Sequence, residues 1–214
     1  MSDQQLRDEC LTVFLAGNET TALALSYCYY LIAQHPEVEK KLVDEWAQVL
    51  NGRSPTAADV PQLPYTTWVV REAMRLYPPA WAIGREAIQD CTIGDYVVPK
   101  GTQLQMNQWV VHRDPRWFDE PELFKPERWD HDLHKRLPHG AYFPFGDGPR
   151  VCIGNHFAMM EIVLVLAAIG QRYGLTLVSN EPLELVPSVT LRPKHGVKVV
   201  VQRRAQQGKA VRAA

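Results

Sequence analysis

The sequence of 214 residues contains only four cysteines, and no two of them have CxxC spacing. Cys10, Cys28, Cys91 and Cys152 lie far apart, and most stand in apolar segments, where a cysteine behaves as a small hydrophobic residue. This distribution argues against a disulfide framework.

Long apolar runs and an excess of charge are also missing. No apolar run reaches the ~18 residues that a membrane-spanning helix needs, and the first segment, MSDQQLRDEC, is too polar for a signal peptide. We therefore expect a cytoplasmic protein. The formal net charge of -1 gives no overall attraction to nucleic acid, so we expect no nucleic-acid partner.

The periodicity of apolar residues predicts mainly helical structure. Helices are expected over 6–32, after Pro36, over 65–77 and over 155–173. Turn residues at 94–95 and 99–101 predict β-hairpins, and two or three strands are expected near the C-terminus. Residues 112–150 lack periodicity and are rich in proline and aromatic side chains. The expected fold class is mainly α with minor antiparallel β.

A cysteine between two glycine-bearing turns stands out in FPFGDGPRVCIGNHF, residues 143–157. Glycines at 148 and 154 allow backbone N–H groups to approach the Cys152 sulfur, and the helix that follows favours negative charge on it. Arg150 supplies a fixed cation suited to an anionic group, and Phe145 could pack flat on an aromatic macrocycle.

Two other interpretations of Cys152 remain. It could be a buried structural thiol, as many free cysteines are, although such a thiol needs none of the surrounding residues. It could also be a nucleophile paired with His156 one helical turn later, but no group that would orient the histidine is evident.

The loop resembles the haem-ligand loop of the cytochrome P450 superfamily, FxxGxRxCxG, at every fixed position, here Phe145, Gly148, Arg150, Cys152 and Gly154. The resemblance implies that the cofactor is haem b and that the Cys152 thiolate is its proximal iron ligand, favouring O–O cleavage on the opposite face.

A second motif, FLAGNETTALAL, interrupts the apolar first helix with a glycine and two threonines, which weaken a helix interior. Small residues could serve only helix packing. They could also let a flat cofactor and a diatomic ligand come close, while a threonine hydroxyl that bonds back to the preceding turn opens the helical ladder to hold water. Glu19 and Thr20 form an acid and alcohol pair able to relay protons. Ala16, Gly17, Glu19 and Thr20 resemble the superfamily's oxygen-activation motif, AGx(D/E)T.

A third motif, REAMR, places Glu72 and Arg75 three residues apart on one helix face. Alone, the pair would be an ordinary ion pair on a solvated face, contributing only ~0.5 kcal/mol. It resembles the superfamily's ExxR pair, which implies a buried charge network with Arg128 that supports the haem loop. Arg85, in PPAWAIGRE, lies where the superfamily often has a second propionate-binding arginine; an exposed arginine is the alternative.

The resemblance extends over residues 2–202 but matches only the C-terminal half of the superfamily: the long distal helix, the ExxR helix, β-hairpins, the cysteine loop and the proximal helix. We expect a haem-binding part over 1–202 and a flexible tail over 203–214. The missing half would leave apolar faces of the first helix exposed, so a separate N-terminal half is a possible partner.

The implied function is oxygenation of a small apolar organic substrate with O2, using electrons from a ferredoxin or a flavin reductase. The alternative is a truncated non-catalytic fragment, or an interaction module without stable haem.

Overall fold

The computed structural model describes residues 1–204. Its first and longest element is helix α1, Asp3–Gln34. The helix begins with a reciprocal cap, because the Ser2 hydroxyl accepts from the Gln5 backbone N–H while the Gln5 side chain accepts from the Ser2 N–H. Residues 1–19 are all exposed, whereas the buried positions of α1 begin at Thr21. Only the C-terminal part of α1 therefore belongs to the core.

Three further long helices complete that core. They are α2 (Pro36–Leu50), α3 (Pro64–Leu76) and α6 (Asn155–Gly170). Prolines at the first turn start α2 and α3, where a missing N–H costs nothing. The second half of α1 packs against α3 and α6, and the shared apolar cluster includes Leu31, Leu42, Val69 and Leu166. The predicted helices are confirmed, with α6 ending three residues earlier than expected.

The β structure consists of four short antiparallel pairs, which confirms the expected fold class. The strands after α3 are β1 (Ile83–Glu86), β2 (Cys91–Ile93), β3 (Tyr96–Val98) and β4 (Gln103–Met106). β2 and β3 form the predicted hairpin around 94–95. The second predicted hairpin is wrong, because β4 pairs with β1 rather than with β3. Mutual N–H to C=O bonds between Ala87 and the 101–102 segment extend that ladder beyond the strands.

The connection from β4 to α6 is ordered but mostly irregular. It contains the short helices α4 (Gln108–Val111) and α5 (Leu133–Arg136) and two 3-10 turns, Pro126–Asp132 and Gly148–Arg150. Buried aromatic residues fix its path: Phe118 and Trp129 have 1% and 0% exposure. This segment carries the cysteine loop at its end.

The C-terminal strands are β5 (Tyr173–Leu177), β6 (Leu185–Pro187), β7 (Leu191–Pro193) and β8 (Val199–Arg203). β5 pairs with β8 around the β6–β7 hairpin. The predicted boundary between the haem-binding part and the tail, at residue 202, falls inside β8. Arg204, two residues beyond it, still contacts the core, because its guanidinium donates to the Gly170 carbonyl and forms an ion pair with Glu39. The rest of the predicted tail, 205–214, lies outside the described residues. Across 1–204, no helix combines the length and the apolar character needed to cross a bilayer.

Candidate functional site

The cysteine loop is a compact turn stabilised by its own backbone. The Cys152 N–H donates to the Phe145 carbonyl at 2.9 Å, and the Gly146 N–H donates to the Phe143 carbonyl at 3.0 Å. Gly146 and Gly148 have φ of 74° and 65°, in the left-handed region that favours glycine. The loop ends directly before α6, so Cys152 lies near the positive end of the helix dipole.

The Cys152 side chain is exposed, which excludes the buried structural thiol. Cys28, by contrast, is fully buried, and burial raises the pKa of its thiol to about 12. No hydrogen bond joins the His156 ring to Cys152 in the part of the chain that the structure describes, so the histidine is not placed to act as the base for a nucleophilic sulfur. The accessible sulfur suits a ligand that approaches from outside the loop.

Strand β1 lies against the cysteine loop. A Cβ placed on Gly146 would lie 3.3 Å from the Ile83 Cδ1 atom, so the Ile83 side chain packs closely against the loop backbone at this glycine. Because alternate side chains of a strand share a face, Arg85 projects to the same side as Ile83. Arg85 and Arg150 are both exposed, and neither forms an ion pair with a carboxylate among residues 1–204. Within these residues, one cation without a carboxylate partner therefore lies in the cysteine loop and another lies on the strand beside it.

The α1 motif has the hydroxyl geometry that the sequence suggested. The Thr20 hydroxyl donates to the Ala16 carbonyl at 2.8 Å. The expected opening of the helical ladder is not seen, since α1 continues as α-helix from Asp3 to Gln34. Ala16 and Gly17 are exposed, and a Cβ at Gly17 would meet nothing within 4 Å. This face of the helix is open to a flat molecule.

Glu19 has partners that the sequence did not reveal. Its Oε1 accepts from the Thr190 hydroxyl at 3.1 Å and lies 3.8 Å from Arg192 Nε. Both partners lie at the β6–β7 hairpin, 171 positions along the chain in the case of Thr190. Thr190 is only 6% exposed, whereas the Glu19 side chain is 47% exposed. No local pattern marks this contact, because it joins opposite ends of the chain.

Glu72, Arg75 and Arg128 lie together in the interior, where Glu72 and Arg75 have no exposed surface and the Arg128 side chain is 8% exposed. Arg75 donates to both Glu72 carboxylate oxygens at 2.9 Å, and Arg128 Nε donates to Glu72 Oε1 at 2.8 Å. The Trp129 indole and the Lys125 backbone N–H complete five hydrogen bonds to the carboxylate. The solvated ion pair is thus excluded.

The same network fixes the irregular connection. The Arg75 guanidinium donates to the backbone carbonyls of His112 at 2.9 Å, Pro121 at 2.6 Å and Leu123 at 3.0 Å. Arg128 donates to the Asp119 carbonyl at 2.7 Å. Backbone carbonyls that would otherwise lack donors are satisfied by two guanidinium groups. The connection is therefore held in one path from α4 to the cysteine loop.

Exposed hydrophobic side chains occur in both motifs. Those next to Cys152 in the sequence or at the start of α6 are Val151, Ile153 and Phe157, and those on α1 before Ala16 are Val13, Phe14 and Leu15. No group of three or more histidine, cysteine or acidic side chains within 1–204 could hold a metal ion. Cys152 therefore has no histidine, cysteine or acidic side chains grouped with it as further candidate metal ligands within these residues.

Known proteins resemble this chain in sequence and in fold. The family model described as Cytochrome P450 matches residues 1–200. The putative cytochrome P450 132 of Mycobacterium tuberculosis is 42% identical over 201 residues, which are 94% of this chain and 43% of that protein. Cyclooctat-9-en-7-ol 5-monooxygenase of Streptomyces melanosporofaciens is 41% identical over 175 residues, 82% of this chain and 38% of that protein.

A crystal structure of a cytochrome P450 superimposes with a TM-score of 0.87 at 31% sequence identity, and the match covers 95% of this chain and 46% of that chain. This chain therefore spans less than half the length of the relatives it matches.

Proposed function

Because the chain belongs to the cytochrome P450 family, we propose that it forms the haem-binding part of a monooxygenase that inserts one atom of O2 into a small apolar organic substrate. The electrons would come from a ferredoxin or a flavin reductase. The observation that carries the proposal is the exposed Cys152 sulfur, in a loop that its own backbone bonds hold at the start of α6. Arg150 in that loop and Arg85 on the neighbouring strand form no ion pair among residues 1–204.

The residues present fit haem b. An exposed sulfur can ligate iron, exposed apolar side chains can cover a porphyrin face, and Arg85 and Arg150 can neutralise two propionates without first breaking an ion pair. When bound, the haem supplies the binding and reductive activation of O2. Phe145, Gly148 and Gly154 shape the loop that presents the sulfur, and the exposed Ala16 and Gly17 leave room for a flat molecule on α1.

Glu19 and Thr20 are proposed to deliver protons to the oxygen site. The Thr20 hydroxyl is oriented by its bond to the Ala16 carbonyl, and the Glu19 carboxylate accepts a hydrogen bond from Thr190. A carboxylate that is half exposed can collect protons from water, and an adjacent hydroxyl can pass them on. Glu72, Arg75 and Arg128 are assigned a supporting role, since they hold the connection that leads to the loop.

The first test is the absorption spectrum of the haem-reconstituted chain, reduced and exposed to carbon monoxide. A strongly red-shifted Soret band is expected, and the Cys152→Ser variant should lose that shift. If the chain retains no haem, or if the substitution leaves the band unchanged, the assignment of Cys152 is wrong.

Thr20→Ala tests proton delivery in the assembled enzyme. Product formed per electron consumed should fall, because protons arrive at the wrong place or time. Thr12→Ala is a matched control, since the Thr12 hydroxyl makes the same bond to a carbonyl four residues back, at 2.8 Å, outside the motif. Equal coupling in both variants would contradict the role of Thr20.

A second candidate is a non-catalytic fragment or interaction module without stable haem. The exposure of residues 1–19 favours it, because α1 leaves Leu6, Leu11 and Phe14 at least half exposed. Under the leading proposal this face is covered by a polypeptide equivalent to the N-terminal half of the relatives, in the same chain or a separate one. We expect residues 1–214 alone to self-associate; a monodisperse monomer that melts cooperatively and binds no haem would support the second candidate.

A further inference from the structure

We propose that His112 is a positioning residue that sets the geometry of the Cys152 loop through the backbone of Phe143. The inference rests on the proposed function, since it assigns His112 to the support of the same sulfur. His112 lies at the end of α4, and the sequence motifs do not include it.

The His112 ring acts as a hydrogen-bond acceptor for the start of the loop. The Phe143 N–H donates to His112 Nε2 at 3.0 Å, and the His112 side chain is completely buried. One helical turn earlier, the buried Gln108 side chain donates to the Phe143 carbonyl at 3.3 Å. Both backbone groups of Phe143 are therefore held by side chains of one short helix.

From Phe143 the constraint passes to the sulfur through two backbone bonds. The Phe143 carbonyl also accepts from the Gly146 N–H, and the Phe145 carbonyl accepts from the Cys152 N–H. Because both bonds lie inside a ten-residue segment with two left-handed glycines, displacement of Phe143 displaces the turn that presents Cys152.

The opposite side of His112 is fixed by the charge network. Its backbone carbonyl accepts from Arg75 at 2.9 Å, and Arg75 is held in turn by Glu72. The ring lies between Tyr142 and Phe143, at centroid distances of 5.0 and 5.3 Å. His112 thus joins the buried charges to the cysteine loop by one bond on each side.

The protonation state agrees with an acceptor role. Burial, assisted by the charges of Arg75 and Arg113, lowers the pKa of His112 to about 3, so the ring is neutral at physiological pH. With Nε2 accepting, the proton is on Nδ1, and that atom has no hydrogen-bond partner among residues 1–204. Burying the Nδ1–H group without an acceptor is unfavourable, and a phenylalanine at this position would avoid that cost. The hydrogen bond from the Phe143 N–H to Nε2 offsets the cost of burying the histidine.

The test compares four variants of the chain. His112→Phe keeps the ring but removes the acceptor. His112→Gln returns an acceptor at similar reach, and His112→Asn has an amide too short to reach Phe143. Leu42→Ala is the control, because it weakens the core on α2 without any hydrogen bond to the loop. Two readouts are amide hydrogen exchange at Phe143 in the haem-free chain and the carbon monoxide spectrum after haem reconstitution.

We expect His112→Phe and His112→Asn to accelerate exchange at Phe143 by about tenfold beyond Leu42→Ala, the scale of one lost hydrogen bond. In the same two variants, a smaller share of the haem should show the red-shifted carbon monoxide band of a thiolate ligand. In His112→Gln, both the exchange rate at Phe143 and the share of the red-shifted band should return towards the wild-type values. Equal effects in His112→Phe and Leu42→Ala, or no rescue by glutamine, would overturn the inference. Absence of the red-shifted band in the wild type would refute the proposed function, and the exchange comparison would still decide the role of His112.

Discussion

Glu72→Gln is the substitution that most directly tests the buried charge network. Glu72 accepts five hydrogen bonds and is the only carboxylate hydrogen-bonded to Arg75 or Arg128 within 1–204. Glutamine has nearly the same shape but leaves two guanidinium groups without a counter-charge in the interior. The NH2 end of the glutamine amide would also face N–H donors of its neighbours, where the carboxylate oxygen had accepted hydrogen bonds. The packing is preserved, so the measured change reports the charge.

The expected loss is large. Removing one partner of a buried ion pair costs about 3–5 kcal/mol, a substantial part of the ~5–15 kcal/mol by which a domain is stable. For a chain of this length each kcal/mol lowers the melting temperature by about 2–4 °C, so a decrease of roughly 6–20 °C is expected. Urea denaturation followed by circular dichroism should show the same loss in free energy of unfolding.

Glu181→Gln is the matched control, because Glu181 is exposed and its carboxylate forms no ion pair among the described residues. That change should stay within about 0.5 kcal/mol. If Glu72→Gln lowers the free energy of unfolding by less than about 1 kcal/mol, the network contributes no more than a surface ion pair does, and the large stabilisation expected from a buried charge network is wrong.

Two further predictions concern stability. Gly170→Ala should lower the free energy of unfolding by about 1–3 kcal/mol, because the added Cβ would overlap the buried Trp46 ring. Gly17→Ala should raise the free energy of unfolding by up to about 1 kcal/mol, because its Cβ would meet no atom within 4 Å and alanine favours the helix. Thermal denaturation of the two variants should show these opposite signs. His112 has a pKa of about 3 when folded and about 6.5 when unfolded, so its contribution is complete above pH 6.5 and is lost as the pH falls towards 3. Between pH 7.5 and 5 the wild type should therefore lose about 2 kcal/mol more than His112→Gln, and equal slopes in urea titrations would contradict the lowered pKa.

The helices were predictable because their signals are local. Pro36 and Pro64 start α2 and α3, and the Ser2 cap starts α1, each within a few residues of the sequence. Apolar periodicity then fixes which face is buried. The cysteine loop was predictable for the same reason, since its glycines and its backbone bonds all lie within ten residues.

The contacts that the sequence did not predict are long-range. β4 pairs with β1 across the β2–β3 hairpin, and turn residues near 99–101 do not determine which strand is the partner. Thr190 reaches Glu19 from the other end of the chain. His112 showed no signal either, because a histidine that accepts a backbone bond in the interior has the same sequence appearance as an exposed one.

The two sides of the proposed haem site are supported to different degrees. The sulfur side is the Cys152 loop with the irregular connection before it. Among the described residues it is stabilised by the five hydrogen bonds to the Glu72 carboxylate, by the bonds from Arg75 to three backbone carbonyls, and by the bond from the Phe143 N–H to His112. The α1 side is exposed through residue 19, and Glu19 at its end accepts a hydrogen bond from the Thr190 hydroxyl of the β6–β7 hairpin. The proposed ligation of iron by Cys152 would depend on the first side, whereas the proposed proton delivery by Glu19 and Thr20 would depend on the second. Covering the exposed face of α1 should therefore change coupling more than it changes the thiolate spectrum.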